Sequence, residues 1–236
     1  KRHCTVEGDG HYTGTEEQRT RWYRLLDKIR ADSIDEFSIM GDFYELWLAL
    51  DGAMPLWQNE MLKPLYALRD AGVTLRYVIG NKDYFVEDWN RRECLFHSVI
   101  DGSERIDSAQ GPLYLAHGDL VNHADTQYRR WRAFSRSWGV SLFARALPRS
   151  TLLKLGERVA KKLESTNRTH KMYYPLDQLE ARARELPAGP ATQIYGHFHT
   201  HRELHFDDKR VITLPFLLTE NAGVLVDDRG FHRFEA

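Results

Sequence analysis

The sequence predicts an α/β fold made of one large domain. Three observations lead there. Four short β-rich runs each end at a glycine-containing polar stretch, and apolar residues with helical spacing fill the intervals between them. The 236 residues, 42% hydrophobic and 28% charged, are enough to bury one full core rather than two independent ones.

Arg2 to Glu7 reads as a strand and Gly8-Asp9-Gly10 as the turn after it. A helix is predicted from about Thr15, where Trp22, Leu25, Leu26 and Ile29 recur at helical spacing. Phe37 to Met40 is a short strand run ending at Gly41-Asp42. Trp57 to Ala71 reads as a helix with Met61, Leu65 and Leu68 on one side and Gly72 as its stop. Thr74 to Ile79 is β-rich and ends at Gly80-Asn81-Lys82-Asp83. Two further runs repeat the pattern: Leu113 to Ala116 ends at His117-Gly118-Asp119, and Thr192 to Tyr195 ends at Gly196-His197-Phe198-His199.

Some 75 residues separate those last two runs, far more than a crossover needs, with helical patterns at about Thr126–Trp138, Ser150–Leu163 and Pro175–Leu186. Residues 122–186 therefore read as a helical cap inserted into the core. Val211 to Leu218 and Gly223 to Val226, before Arg229-Gly230, read as a closing antiparallel pair or meander.

The net charge of −1 hides a segregation. Between Arg129 and Lys171 twelve Lys or Arg face only two acids, Glu157 and Glu164, and they are interleaved with Trp131, Phe134, Trp138, Leu142, Phe143, Leu147, Leu152 and Leu153. A basic, amphipathic segment of this kind suits an anionic membrane surface or an anionic amphiphile. No apolar run approaches the 18 residues needed to cross a bilayer, and no secretory leader is visible, which makes the cytoplasm the default compartment. Cys4 and Cys94 are too few and too far apart for a disulfide framework or a cysteine zinc site.

Loops at the carboxyl ends of neighbouring strands converge in open α/β sheets, so Asp9, His11, Asp42, Asn81, His117, His197 and His199 are expected to meet. Each is weak evidence alone, since a Gly-Asp after a strand is usually a turn and a lone His usually structural. In this order, the blocks Asp-x-His, Gly-Asp, Gly-Asn, His-Gly-Asp and Gly-His-x-His resemble the five motifs of the calcineurin-like metallophosphoesterases, along nearly the whole chain.

That resemblance implies a four-layer αββα sandwich with the helical cap, and two divalent metal ions, Mn²⁺ as the leading choice. It implies Asp9, His11, Asp42 and His199 at the first ion, and Asp42, Asn81, His117 and His197 at the second, with Asp42 as the bridge. Asp42, Asn81, His117 and His197 would be the catalytic set, and water the nucleophile. The donor chemistry agrees, because mixed carboxylate, imidazole and carbonyl ligation suits Mn²⁺, and paired ions lower the pKa of a shared water towards ~7.

Two departures stand out. The first block follows a polar strand, where a buried parallel sheet would have consecutive aliphatics. Its support is the spacing from Asp9 to Asp42, which leaves room for one helix and one strand, against a polar surface turn. The second is Lys82, where most of the superfamily has His. A cation after Asn81, with Gly41-Asp42-Phe43-Tyr44-Glu45-Leu46-Trp47 and the block from His117 through Asp125 and Tyr128 to Trp131-Arg132, narrows the resemblance to the UDP-2,3-diacylglucosamine diphosphatases of lipid A synthesis, which carry Arg there.

The narrower resemblance implies hydrolysis of an acylated nucleotide sugar at its α-phosphorus, giving UMP and 2,3-diacylglucosamine 1-phosphate (lipid X), by a peripheral protein on the cytoplasmic face of the inner membrane. Asn81, Lys82, His197, Asp125, Tyr128, Asn167, Arg168 and Lys171 would contact substrate. Trp138, Leu142, Phe143 and Leu147 would form the acyl slot. The structural alternatives are a helix cap for Asp125, a half-buried aromatic for Tyr128, a solvated loop for Asn167 to Lys171, and ordinary packing for the apolar four. His123, His170, His201 and His205 read as surface or supporting residues, and Asp119 as orienting a ligand. No nucleic-acid partner is expected, and the oligomeric state stays open. Two rivals remain: a soluble phosphodiesterase or nucleotide diphosphatase of the same fold, and a non-catalytic interaction scaffold.

Overall fold

The computed structural model of the chain describes residues 2–6, 11–50, 54–156, 158–159 and 174–235. In chain order its strands are β1 His3–Val6, β2 Glu36–Ile39, β3 Trp47–Leu48, β4 Thr74–Val78, β5 Asp83–Tyr84, β6 Ser98–Ile100, β7 Ser103–Ser108, β8 Gly111–Ala116, β9 Ala191–Tyr195, β10 Arg202–Phe206, β11 Lys209–Thr213, β12 Ala222–Asp227 and β13 Gly230–Glu235. The helices are α1 Glu16–Ala31, α2 Leu56–Asp70, α3 Val86–Glu93, α4 Thr126–Ser135, α5 Trp138–Ala146, α6 over 149–156, α7 Leu176–Arg184 and the short α8 Leu217–Glu220.

Alternation along the strands sorts the side chains into layers. A six-stranded sheet runs in the order β13-β12-β1-β2-β4-β6, and a five-stranded sheet in the order β10-β11-β9-β8-β7. On one face of the first sheet Cys4, Phe37, Ile39, Leu75 and Tyr77 pack under Trp22, Leu25, Leu26 and Ile29 of α1 and Met61, Leu65 and Leu68 of α2. From its other face Val78, Ile100, Val224 and Val226 meet Leu113, Leu115, Ile194 and Ile212 of the second sheet. Leu179 and Ala183 of α7 then cover Tyr195 and Val211 on the outer side of that sheet. The order is helix, sheet, sheet, helix, as the resemblance implied.

The polar first strand is accommodated in a specific way. β1 lies between β12 and β2, and its His3 is buried against Glu36, with Nδ1 3.4 Å from Oε2. Ser38 Oγ stands 3.2 Å from His3 Nε2, and Arg76 donates to Glu36 at 2.5 Å. A paired polar cluster thus takes the place of aliphatics between the sheets, which is tolerable because its buried charges are matched. Burial depresses the His3 imidazole below its ordinary value, against the opposing pull of Glu36.

Four sequence expectations are corrected. The strand expected from Val211 to Leu218 stops at Thr213, ahead of Pro215, which has no N–H to offer a ladder, and Leu217–Glu220 is helical. β11 runs parallel to β9 in the second sheet while β12 and β13 pair antiparallel in the first, so the closing strands serve different layers. And α7, placed in the cap by sequence, belongs to the outer helical layer. The helix expected over Thr126–Trp138 also breaks at Arg136 and Ser137, the residue that precedes α5 in extended backbone. Among the described residues no helix is long and apolar enough to cross a membrane.

Candidate active site

β2 and β4 lie side by side, so the loops leaving them, Gly41-Asp42 and Gly80-Asn81-Lys82-Asp83, run together. The Asp83 carboxylate Oδ2 accepts the N–H of Asp42 at 2.9 Å, the N–H of Gly80 at 2.7 Å and the Tyr77 hydroxyl at 2.8 Å. In return, Asp42 Oδ1 accepts the Lys82 N–H at 2.7 Å. Burial pushes the Asp83 carboxyl up from its ordinary value, opposed by those same three donors. Glycine is required at this contact: a Cβ on Gly80 would lie 2.2 Å from Asp42 Oδ1, and one on Gly41 2.7 Å from His117 Nδ1.

His117 leaves β8 pointing into the same place. Its Nδ1 donates to the Met40 carbonyl at 2.6 Å, which turns Nε2 toward Asn81 Oδ1 at 3.2 Å and Asp42 Oδ2 at 3.7 Å. With Nδ1 committed to the Met40 carbonyl, an imidazole nitrogen, an amide oxygen and a carboxylate oxygen face one another. A divalent cation satisfies such a set, and a ring pinned through its other nitrogen is the usual support for a metal-ligating histidine. His197 packs edge-on to His117 with ring centroids 5.0 Å apart.

The second half of the predicted set gathers close by. His11 and His199 have ring centroids 5.5 Å apart, and Phe216 stacks on His199 at 4.6 Å with an interplanar angle of 4°. Lys82 is 1% exposed; its ammonium donates to Glu45 Oε1 at 2.7 Å and stands 3.0 Å from His11 Nδ1. Among the described residues no three His, Cys, Asp or Glu already stand as one ion's ligands. Asp9, Asn167, Arg168 and Lys171, with His170, lie outside the described residues.

Backbone strain concentrates here as well. His11, Asp42, His197 and His199 all have positive φ, at 40°, 48°, 67° and 52°. Each non-glycine residue in that region costs of order 1 kcal/mol or more, and such strain persists where surrounding structure enforces it.

Helix α4 docks over the site through polar contacts. Asp119 Oδ2 accepts from the Tyr128 hydroxyl and, at 2.9 Å, from Arg132 Nε, while Arg132 also reaches Asp101. Burial acts to raise the Asp119 carboxyl, but His117, Arg132 and Tyr128 together hold it below its ordinary value. Arg136 donates to the Gly80 carbonyl and, at 3.2 Å, to the Asp83 carbonyl. Asp125 caps α4, accepting the Tyr128 N–H at 2.8 Å, so both residues carry a structural role in this structure. Trp138, Leu142 and Phe143 face outward, 79%, 54% and 65% exposed, whereas Leu147 packs beside Leu50 and Leu152. His123, His201 and His205 are exposed.

The site thus includes residues to which the sequence reading gave no role. Glu45 and Asp83 stand inside motif blocks already singled out, a signal that was available; Arg136 and Phe216 arrive from distant segments and carried none.

The sequence is 30% identical over 232 residues to the UDP-2,3-diacylglucosamine hydrolase of Stutzerimonas stutzeri, covering 92% of this chain and 93% of the relative. The chain belongs to the UDP-2,3-diacylglucosamine hydrolase family. The protein of that name from Pseudomonas paraeruginosa is also 30% identical, over 81% of this chain and 79% of its own. No family model matches the sequence. Among solved structures, an archaeal phosphodiesterase aligns over 99% of both chains with a TM-score of 0.53 at 10% identity, a likeness of fold. As a member of this hydrolase family, the chain carries its candidate ligands at strand ends β2, β4, β8 and β9 beneath α4.

Proposed function

We propose that the chain hydrolyses the diphosphate of UDP-2,3-diacylglucosamine, with water adding to the α-phosphorus and the bond to the bridging oxygen breaking, to release UMP and 2,3-diacylglucosamine 1-phosphate. The observation that carries the chemistry is the convergence of His117 Nε2, Asn81 Oδ1 and Asp42 Oδ2, with Nδ1 of His117 committed to the Met40 carbonyl. Family membership carries the substrate.

Two divalent ions, Mn²⁺ in our reading, would be held by Asp9, His11, Asp42 and His199 and by Asp42, Asn81, His117 and His197. When bound they supply an activated water and neutralise charge on the phosphoryl oxygens. Asp42 would be common to both sets, and its backbone N–H is held by Asp83. Asn81 and His197 would orient the diphosphate, and Lys82 contributes a fixed positive charge beside it. Asp125, Tyr128, Asn167, Arg168 and Lys171 are proposed contacts to the sugar phosphate.

The acyl chains would lie along the outward face of α5, where Trp138, Leu142 and Phe143 are exposed. The same surface would hold the protein on the cytoplasmic face of the inner membrane, since burying each such side chain in an apolar phase is worth about 1.5–3 kcal/mol.

The test is Mn²⁺-dependent UMP release from the diacyl nucleotide sugar by the intact protein and by Asp42→Ala. Loss of turnover in the variant is expected, because both ions lose a shared ligand. Undiminished activity in Asp42→Ala would overturn the site, and turnover of a soluble diester with none of the diacyl substrate would overturn the substrate.

A further inference from the structure

Glu45 sits at the meeting point of three loops. Its N–H bonds to the Tyr12 carbonyl at 3.3 Å, and the Tyr12 N–H to the Phe43 carbonyl at 3.1 Å, so the segment after His11 runs alongside the segment after Asp42. β3 pairs with β5, and the Trp47 N–H bonds to the Lys82 carbonyl at 3.0 Å, which brings the Asn81-Lys82 loop against the same stretch. The backbones bring three side chains together as a consequence. Glu45 Oε1 lies 2.7 Å from the Lys82 ammonium and Glu45 Oε2 3.3 Å from His11 Nδ1.

We infer that Glu45 is a positioning residue for the first ion site, one carboxylate oxygen holding the Lys82 ammonium and the other the Nδ1 side of His11. This rests on the reading above in which His11 is an ion ligand. Two physical requirements meet in it. An ammonium as buried as that of Lys82 needs an opposite charge close by, and Glu45 provides it. The Lys82 ammonium also stands 3.0 Å from His11 Nδ1 and can only donate, so an ion on Nε2 would require Nδ1 to turn its proton to Glu45 Oε2, 3.3 Å away, while Glu45 Oε1 holds the ammonium; the ring is then fixed in orientation as metal-ligating histidines are. The same carboxylate also limits Lys82: its charge is shared with Glu45, so it adds positive potential to the site without swinging freely to a phosphate.

The experiment is Mn²⁺ titration of the full chain by calorimetry, with kcat and KM for the diacyl substrate measured alongside, for wild type, Glu45→Gln, Glu45→Asp and His11→Ala. Glu45→Gln is expected to weaken one of two ions 10- to 100-fold, leave the other unchanged, and lower kcat with KM within threefold, with Glu45→Asp recovering part of the loss. Wild-type affinity for both ions in Glu45→Gln, when His11→Ala loses one, would sink the positioning role alone. Wild-type affinity in His11→Ala would instead sink the ligand assignment beneath it. Should Glu45→Gln fail to fold because Lys82 is left uncompensated, the pair Glu45→Gln with Lys82→Met removes that charge. The same weakening is expected of it, and unchanged affinity would again overturn the role.

Discussion

Asp42 and Asp83 brace one another across two strand ends: Asp83 Oδ2 accepts the Asp42 N–H at 2.9 Å while Asp42 Oδ1 accepts the N–H of Lys82, the residue before Asp83, at 2.7 Å. The left-handed backbone of Asp42, with φ 48°, is held in place by this exchange.

Asp83→Ala leaves the N–H groups of Asp42 and Gly80 and the Tyr77 hydroxyl without their acceptor in a buried place. At about 1–3 kcal/mol for each unsatisfied group, the expected loss is roughly 3 kcal/mol or more. Urea denaturation measures it. Asp83→Asn, which keeps one acceptor oxygen, is expected to lose less, and equal losses in the two variants would contradict this account.

Arg132 joins α4 to Asp119 and Asp101, with its side chain 12% exposed and that of Asp119 4%. Arg132→Ala strands the Asp119 carboxylate in a buried setting, so a stability loss of about 2 kcal/mol is expected. A loosened α4 should also raise KM for the diacyl substrate more than it lowers kcat. A fall in kcat alone would show that α4 does not help to hold substrate.

Trp138 and Phe143 touch little, so Trp138→Ser and Phe143→Ser are expected to shift stability by no more than about 0.5 kcal/mol. Their effect should appear with the substrate. If the outward face binds acyl chains, the double variant loses at least about tenfold in kcat/KM on the diacyl nucleotide sugar, at about 1.5–3 kcal/mol per fully buried side chain, and binds anionic vesicles more weakly. Equal kinetics for both proteins would remove the acyl role from α5.

The buried His3 predicts a pH dependence. Its folded-state value is depressed below the ordinary 6.5, so below pH 6.5 the unfolded chain takes up a proton that the folded chain refuses. Stability is therefore fully present above that pH and declines as pH falls, approaching ~1.4 kcal/mol per unit at most from this group. Urea midpoints at pH 7.5 and 5.5 check it, and the difference should shrink in His3→Gln.

The strand-then-polar-turn pattern carried much of the fold, since β2, β4, β8 and β9 all end where their glycine-bearing turns begin. Edge strands such as β6, β7 and β10 were not legible. Pairing at a sheet edge relies on partners supplied by neighbouring strands rather than on a run of its own apolar residues. The types and order of the candidate ligands are legible in the sequence alone, because Asp, Asn and His at strand ends are local facts of composition and turn chemistry. Their supports emerge from the fold alone: Met40 pinning His117, Phe216 stacked on His199, Glu45 between Lys82 and His11, and Asp83 bracing Asp42. Most of those contacts join residues tens of positions apart, and distances of that kind are set by how strands pair and layers pack, which no local pattern records.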